Sequence, residues 1–568
     1  MLLIFISWIV LFLIISGFGF SFFEIINRKL EIASTGKVDV FFFFWLGLII
    51  IIGLLQIISL FVPLNGLVFI LVGMASLVLL IVNRKRLASK IRNVKINNIP
   101  RHRAIGFTLL VLFFSLALLY SASKKVTLYD TDLYHFNSVK WVSDYPAVPG
   151  LTNLHLRLGY NSSLFVFGAF VNNFFLRDSS SHVTLSLLLF VLLVRWLYSI
   201  FLKDESLLEK IFYIFTFPYI IMLIWSQEVA SFSTDLFTGI LLLVFSFYAL
   251  QKDNLLKSII LVPLSFLLIT GKLSGAVAVP VAIYIFIKGI YGLQDSANFR
   301  KLRKLLISFS SALSLLVIVG FILRNIVLSG WLLFPFPIGN LHLPWSVPVA
   351  TVNNELLVLK AWGRSPGPGY IWSVNTDFWG WFTPWFASIQ DSEGFKLFGI
   401  GVVTLLLGII FGNYSKIDLR QWPFLNAVLL LCILGIGVVI YSSPQIRFAV
   451  IFFWIFFAAA SAMSVSFYLR NSKWLNLLIL IVLFITMKTY GIWPNFNTRP
   501  LWLEIVKDTT LPVKQVVVSP KGIKPELSVW FPIQLDLCGN SALPCAPNPP
   551  TLKERVSGDI SKGFLPIN

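Results

Sequence analysis

The chain has 568 residues, of which 57% are hydrophobic and only 12% charged, with a mean hydropathy of +0.85 and a formal net charge of +20. Soluble globular chains carry about 25% charged residues, so the composition excludes a soluble enzyme and describes an integral membrane protein. The 45 Lys and Arg residues lie in short connections rather than on one soluble block, so they read as topology-setting and lipid-facing charge, not as a nucleic-acid footprint.

Apolar runs of spanning length recur from one end to the other, and the ten-residue alternation of a membrane β-barrel is absent. The first run, 1–23, has no basic residue ahead of it and Arg28 and Lys29 behind it, which reads as a retained span with its N-terminus outside. Spans near 38–61 and 64–82 follow. The segment 83–103 carries Arg84, Lys85, Arg86, Lys90, Arg92, Lys95, Arg101 and Arg103, which places it inside because positive residues resist translocation.

The next span, 104–122, then delivers the stretch holding Asp130, Asp132 and His135 to the outside. The apolar piece 161–176 is short and interrupted by Asn172 and Asn173. A full crossing there would put the later basic loops outside; a re-entrant segment or a helix lying at the membrane surface restores them, and the surface reading is taken. Further spans fall near 182–202, 208–225, 232–250, 255–270, 274–290 and 305–327. A long outside loop runs to about 396, and spans near 397–411, 423–441, 446–468 and 475–490 complete about fourteen crossings.

The tail, 491–568, is polar and Pro-rich, with strand-like Val516–Val518 and Leu527–Phe531, and reads as a small outside extension. Cys538 and Cys545 lie seven residues apart in it, a spacing that favours a local disulfide in an oxidising compartment. Cys432, within a span, reads as packing. The domain reading is therefore an N-terminal part, 1–103, a membrane core, 104–490, with outside loops 123–181 and 328–396, and the extension 491–568.

An ionisable residue at a span end is costly unless it is solvated, paired or used. On the outside parity these residues are Asp130, Asp132, His135, Glu228, Asp235, Lys272, Arg324, Asp377 and Arg447. Asp130 and Asp132 suit a general base and a partner for substrate or metal; two residues apart in an extended loop, they point to opposite sides. The plainer alternative is a solvated loop.

His135 serves as a binding group or simply as a hydrogen-bonding residue. Glu228 and Asp235 bind a divalent metal with Asp132, or cap and link helices; no compact ligand motif decides it. Lys272, between Gly271 and Gly275, and Arg447, after Pro444, are placed to hold phosphate oxygens. For Arg447, snorkelling to the headgroups is an equal alternative. Seven Trp residues of the long loop, Trp331, Trp345, Trp362, Trp372, Trp379, Trp381 and Trp385, read mostly as interface anchors, with one or two, Trp379 among them, as platforms for a sugar ring.

These features together resemble the GT-C superfamily of membrane glycosyltransferases: Asp130 and Asp132 in the first large outside loop, more than ten spans, Glu228, Asp235, Lys272 and Arg447 on the same side, a Trp/Pro-rich late loop and an outside C-terminal extension. The resemblance implies an all-α, polytopic GT-C-like helical bundle. It also implies a polyprenyl-phosphate-linked sugar as donor and an inverting transfer to a glycan or lipid acceptor on the outer face of a bacterial inner membrane. Asp132 or Asp130 is then the base, and Lys272 and Arg447 hold the departing phosphate. Three spans ahead of the expected first helix depart from that pattern. A flippase for a lipid-linked saccharide, or a surface-polysaccharide polymerase or ligase, is the alternative.

Overall fold

The computed structural model describes residues 1–30, 40–92, 100–203, 205–251, 254–293, 299–365, 369–411, 422–468, 513–518, 527–533, 536–547 and 552–566. Among these the chain is an all-α, multi-pass membrane protein with a small β-containing C-terminal part. Ten helices are long and apolar enough to cross a membrane, and three shorter apolar ones accompany them.

In chain order the helices are α1 (Leu2–Leu30), α2 (Val40–Ile58), α3 (Gly66–Val82), α4 (Arg84–Arg92), α5 (Arg101–Ala122), α6 (Phe136–Asp144), α7 (Ser163–Val171), α8 (Ser181–Phe201) and α9 (Leu207–Trp225). Then come α10 (Thr234–Leu250), α11 (Asn254–Gly271), α12 (Ala278–Tyr291), α13 (Phe299–Ser329), α14 (Val349–Arg364), α15 (Phe378–Ile389), α16 (Glu393–Phe411), α17 (Trp422–Ser442) and α18 (Ile446–Tyr468). The expected span at 475–490 lies outside the described residues.

Helices dominate because a backbone in hydrocarbon must satisfy its own N–H and C=O groups. Water exclusion gives no preference between helix faces and lipid, so the bundle is held by close packing. In the α1–α2 pair, Gly19 lies against the Phe43 carbonyl and Gly47 against the Ile15 carbonyl, each leaving no room for a Cβ. Trp8 adds a buried hydrogen bond from Nε1 to Ser186 Oγ at 3.0 Å, tying α1 to α8. Pro218 and Pro263 sit inside α9 and α11, positions that neighbouring helices make tolerable.

Two expectations change. The piece 161–176 is not a surface helix: α7 has only nine residues, too few to cross, and every one is buried, because Leu164, Phe165, Val166, Phe167, Phe170 and Val171 leave it no polar face. It packs against α2, α3, α6, α8 and α11 instead. The long loop after α13 is also largely ordered as α14 and α15; Asp377 caps the latter by accepting from Gly380 N at 2.9 Å.

In the C-terminal part, β1 (Val513–Val518) pairs antiparallel with β2 (Leu527–Pro532), Val516 opposite Val529. A second ribbon, β3 (Leu552–Glu554) with β4 (Phe564–Pro566), had no sequence expectation. The Cys538–Cys545 disulfide is present. Phe564 N donates to Pro149 O at 2.9 Å, docking this part onto the loop after α6.

The α1–α2 contact makes a direct prediction. Gly47→Val should lower the thermal unfolding midpoint of the detergent-solubilised protein, reflecting roughly 1–3 kcal/mol of overpacking, whereas Gly437→Val, at an α17 position open within 4 Å, should leave it nearly unchanged.

Candidate functional site

Four connections between helices bring their charged residues to one end of the bundle. Asp130 ends the segment after α5, Glu228 lies in the 3-10 turn 227–230 between α9 and α10, and Asp235 occupies the first turn of α10. Lys272 follows α11, and Arg447 lies in the first turn of α18. Arg447 Nη1 meets Asp130 Oδ2 at 3.1 Å and its Nε lies 3.8 Å from Asp235 Oδ2. The other Asp235 oxygen, Oδ1, accepts from Lys272 Nζ, so Asp235 bridges both cations. Lys272 also sits 3.3 Å above the Phe448 ring.

Glu228 joins through small polar side chains. Its carboxylate accepts from Ser233 Oγ at 2.7 Å, and its backbone N–H donates to Ser226 Oγ at 3.1 Å. Ser233, not Asp235, caps α10, accepting from Leu236 N at 3.2 Å. Burial, and then the Asp235 charge, push the Glu228 carboxyl above its ordinary range. Asp130 and Asp235 thus face the two cations directly, and Glu228 lies beside them.

These groups line a cavity of about 460 Å³, with Glu228, Asp235, Lys272 and Arg447 at its polar part. The rest of its wall is mostly apolar, formed by Tyr219, Leu223, Trp225, Leu236, Ile451 and Phe452 among others. Asp130 adjoins the cavity through Arg447.

Asp132 is placed differently. It lies on a π-helical turn, 131–135, that leads into α6, where positions two apart fall on opposite faces, so it diverges from Asp130. Its Oδ1 is buried without a hydrogen-bond partner among the described residues, and burial pushes its pKa up to about 6, with Lys125 opposing. His135 is 2% exposed and shares a 3.0 Å hydrogen bond between Nδ1 and Thr131 Oγ1. Burial lowers its pKa to about 4, so it is neutral at pH 7. Neither Asp132 nor His135 lines the cavity.

Trp379, on α15, is 65% exposed, packs on Phe378 and Phe382, and does not line the cavity either. The metal expectation for Asp132 and Glu228 finds no geometry: among the described residues no group of three or more His, Cys, Asp or Glu side chains is placed to hold a metal ion. The cluster's carboxylates instead face Lys272 and Arg447.

Two groups went unnoticed in the sequence. Arg157 Nε lies 3.3 Å from Glu355 Oε1 on α14, and Tyr160 donates to the same carboxylate; these partners are far apart in the chain and share no motif. The second is the disulfide loop 538–545, which straps the aspartate stretch. Gly539 N donates to Asp132 O at 2.7 Å, Asn137 Nδ2 donates to Gly539 O at 2.9 Å, and Lys140 Nζ donates to Ser541 O at 3.0 Å. Tyr129 donates to Asp536 just ahead of the loop.

A family model described as Domain of unknown function (DUF8201) matches residues 1–454. No curated protein and no solved structure matches the chain.

The raised pKa of Asp132 sets a pH-dependent cost. Its neutral form is favoured by folding, so its stabilising contribution is complete below the unfolded value near 4 and is lost as pH rises through about 6. Asp132→Asn should therefore raise the unfolding midpoint at pH 7.5 and leave it nearly unchanged at pH 4. The strap yields a second expectation: Cys538→Ser with Cys545→Ser should cost about 2–4 kcal/mol and increase amide exchange across residues 129–137, read by mass spectrometry.

Proposed function

We propose that this chain, which belongs to the family whose model matches residues 1–454, is a GT-C-type membrane glycosyltransferase of about fourteen spans. It moves a sugar from a polyprenyl-phosphate-linked donor to a glycan or lipid acceptor on the outer face of a bacterial inner membrane. The observation that carries this reading is the chain of contacts Asp130–Arg447–Asp235–Lys272, the last three on the wall of an amphipathic cavity and Asp130 adjoining it. An anionic headgroup fits its two cations, and an acyl or prenyl segment fits the apolar wall.

The chemistry follows from what each group can do. The donor phosphate takes the Arg447 guanidinium and the Lys272 ammonium as partners, and Asp235 holds both in place. Arg447 then shares its charge with the phosphate and loosens its contact with Asp130, leaving that carboxylate free to accept a hydrogen bond from the acceptor hydroxyl. The acceptor hydroxyl oxygen bonds to the anomeric carbon from the face opposite the phosphate, and its proton passes to Asp130. The carbon–oxygen bond to the phosphate breaks, the bonding pair stays on the phosphate oxygen, and the anomeric centre inverts.

Charge grows on the leaving phosphate in the transition state, so Lys272 and Arg447 stabilise it more than the ground state. The contact with Arg447 favours Asp130 over Asp132 as the base. Asp132, on the strapped face of the turn, sets the position of the segment.

The test uses purified protein in nanodiscs with a polyprenyl-phosphate-linked sugar and a glycolipid acceptor, following glycosidic product by mass spectrometry. Asp130→Asn should reduce turnover by about 10²-fold or more, and Arg447→Gln by about 10²–10³-fold, each in protein that remains folded. Undiminished transfer by Asp130→Asn would remove it as base. Movement of the lipid-linked saccharide across the bilayer with no glycosidic product would favour a flippase.

A further inference from the structure

Away from the cavity already described, α6 meets α13 across a second, much smaller cavity of about 20 Å³. That space suits a single occupant about the size of one water molecule. Its lining includes Ser138 and Trp141 of α6, Asn161, and Arg324 of α13.

Arg324 is 3% exposed, well inside the protein. Its Nε donates to Asn161 Oδ1 at 3.1 Å and its Nη1 to Ser59 Oγ at 2.7 Å. Both acceptors are neutral, and no carboxylate among the described residues pairs with the guanidinium. A buried cation without a counter-charge is strongly unfavourable, far more so than one salt-bridged.

The neighbouring polar groups are donors as well. Trp141 is 2% exposed and Ser138 is 7% exposed, and neither the indole Nε1 nor the Ser138 Oγ has a hydrogen-bond partner among the described residues. Guanidinium and indole N–H groups can only donate, and a serine hydroxyl can turn to do so. Ser138 and Trp141 lie three apart on a helix, so they share one face. A net positive charge, two unused donors and a space for one small occupant define an acceptor that carries a negative charge.

We propose that this cavity is a binding site for a small monovalent anion of halide size, chloride being the natural occupant. The anion neutralises Arg324, accepts from Trp141 and Ser138, and thereby ties α6 to α13. Because α6 continues directly from the turn bearing Asp130 and Asp132, occupancy fixes the base of that turn alongside the strap. Phosphate, sulfate and larger carboxylates are excluded by size. The site is independent of the transferase reading, and neither stands or falls with the other.

The experiment compares thermal unfolding of the full-length, detergent-solubilised protein in chloride, bromide and gluconate at constant ionic strength. Chloride and bromide should raise the midpoint saturably, by about 3 °C or more over gluconate, and bromide-soaked crystals should show an anomalous peak beside the Arg324 guanidinium. Arg324→Gln should abolish the halide dependence, and Trp141→Phe, which keeps the charge and removes one donor, should shift the saturation to higher halide. Should Arg324→Gln not fold, Trp141→Phe and the anomalous map decide. Equal midpoints in chloride and gluconate, no bromide peak at Arg324, or halide dependence unchanged in Trp141→Phe would overturn the proposal; the first of these would assign the cavity to water.

Discussion

A charge carried into a low-dielectric bundle must find an opposite charge or a solvated opening, and Asp235 meets that requirement for two cations at once. Its two carboxylate oxygens face Lys272 and Arg447, and the second of these reaches Asp130. Through this one residue, the first turn of α10 is connected to the ends of α11 and α18 and to the segment after α5. The cavity exists where these helix ends are held apart by side chains that cannot collapse without burying unpaired charge. Its polarity is therefore a consequence of the same pairing that keeps the bundle's end together.

The segment from Tyr129 to Asp144 is the second organising part, because it is gripped from several sides. Its backbone and side chains hydrogen-bond to the disulfide loop at Asp132, Asn137 and Lys140, and Thr127 ahead of it donates to Gln227 at 2.9 Å. On another face, Ser138 and Trp141 approach Arg324. These contacts hold the segment from several sides, so the carboxylates on it are fixed in position. The C-terminal extension is thus more than a cover: it sets the position of the turn that separates Asp130 from Asp132.

Much of the fold was legible because hydropathy is local. Runs such as 104–122 and 446–468 are apolar along their length, and the helices Arg101–Ala122 and Ile446–Tyr468 follow them closely. Cys538 and Cys545, seven residues apart, form the disulfide their spacing favoured. The piece 161–176 was misplaced because its length excluded a crossing but said nothing about what covers it; only packing against five other helices shows why nine residues with no polar face can be buried. Arg157 with Glu355 and the loop 538–545 on Asp132 escaped notice because each pair lies far apart in the chain and has no shared pattern.

By itself, then, the sequence determined a multi-pass helical membrane protein and the list of ionisable residues at its span ends, since both depend on residue type and immediate neighbours. The tertiary structure decided which of those residues meet. Coulomb pairing acts over a few ångströms in space whatever the distance along the chain. Asp130 is thereby joined to Arg447, Asp132 is held to the C-terminal strap through its backbone carbonyl, and Arg324 is set apart from every described carboxylate.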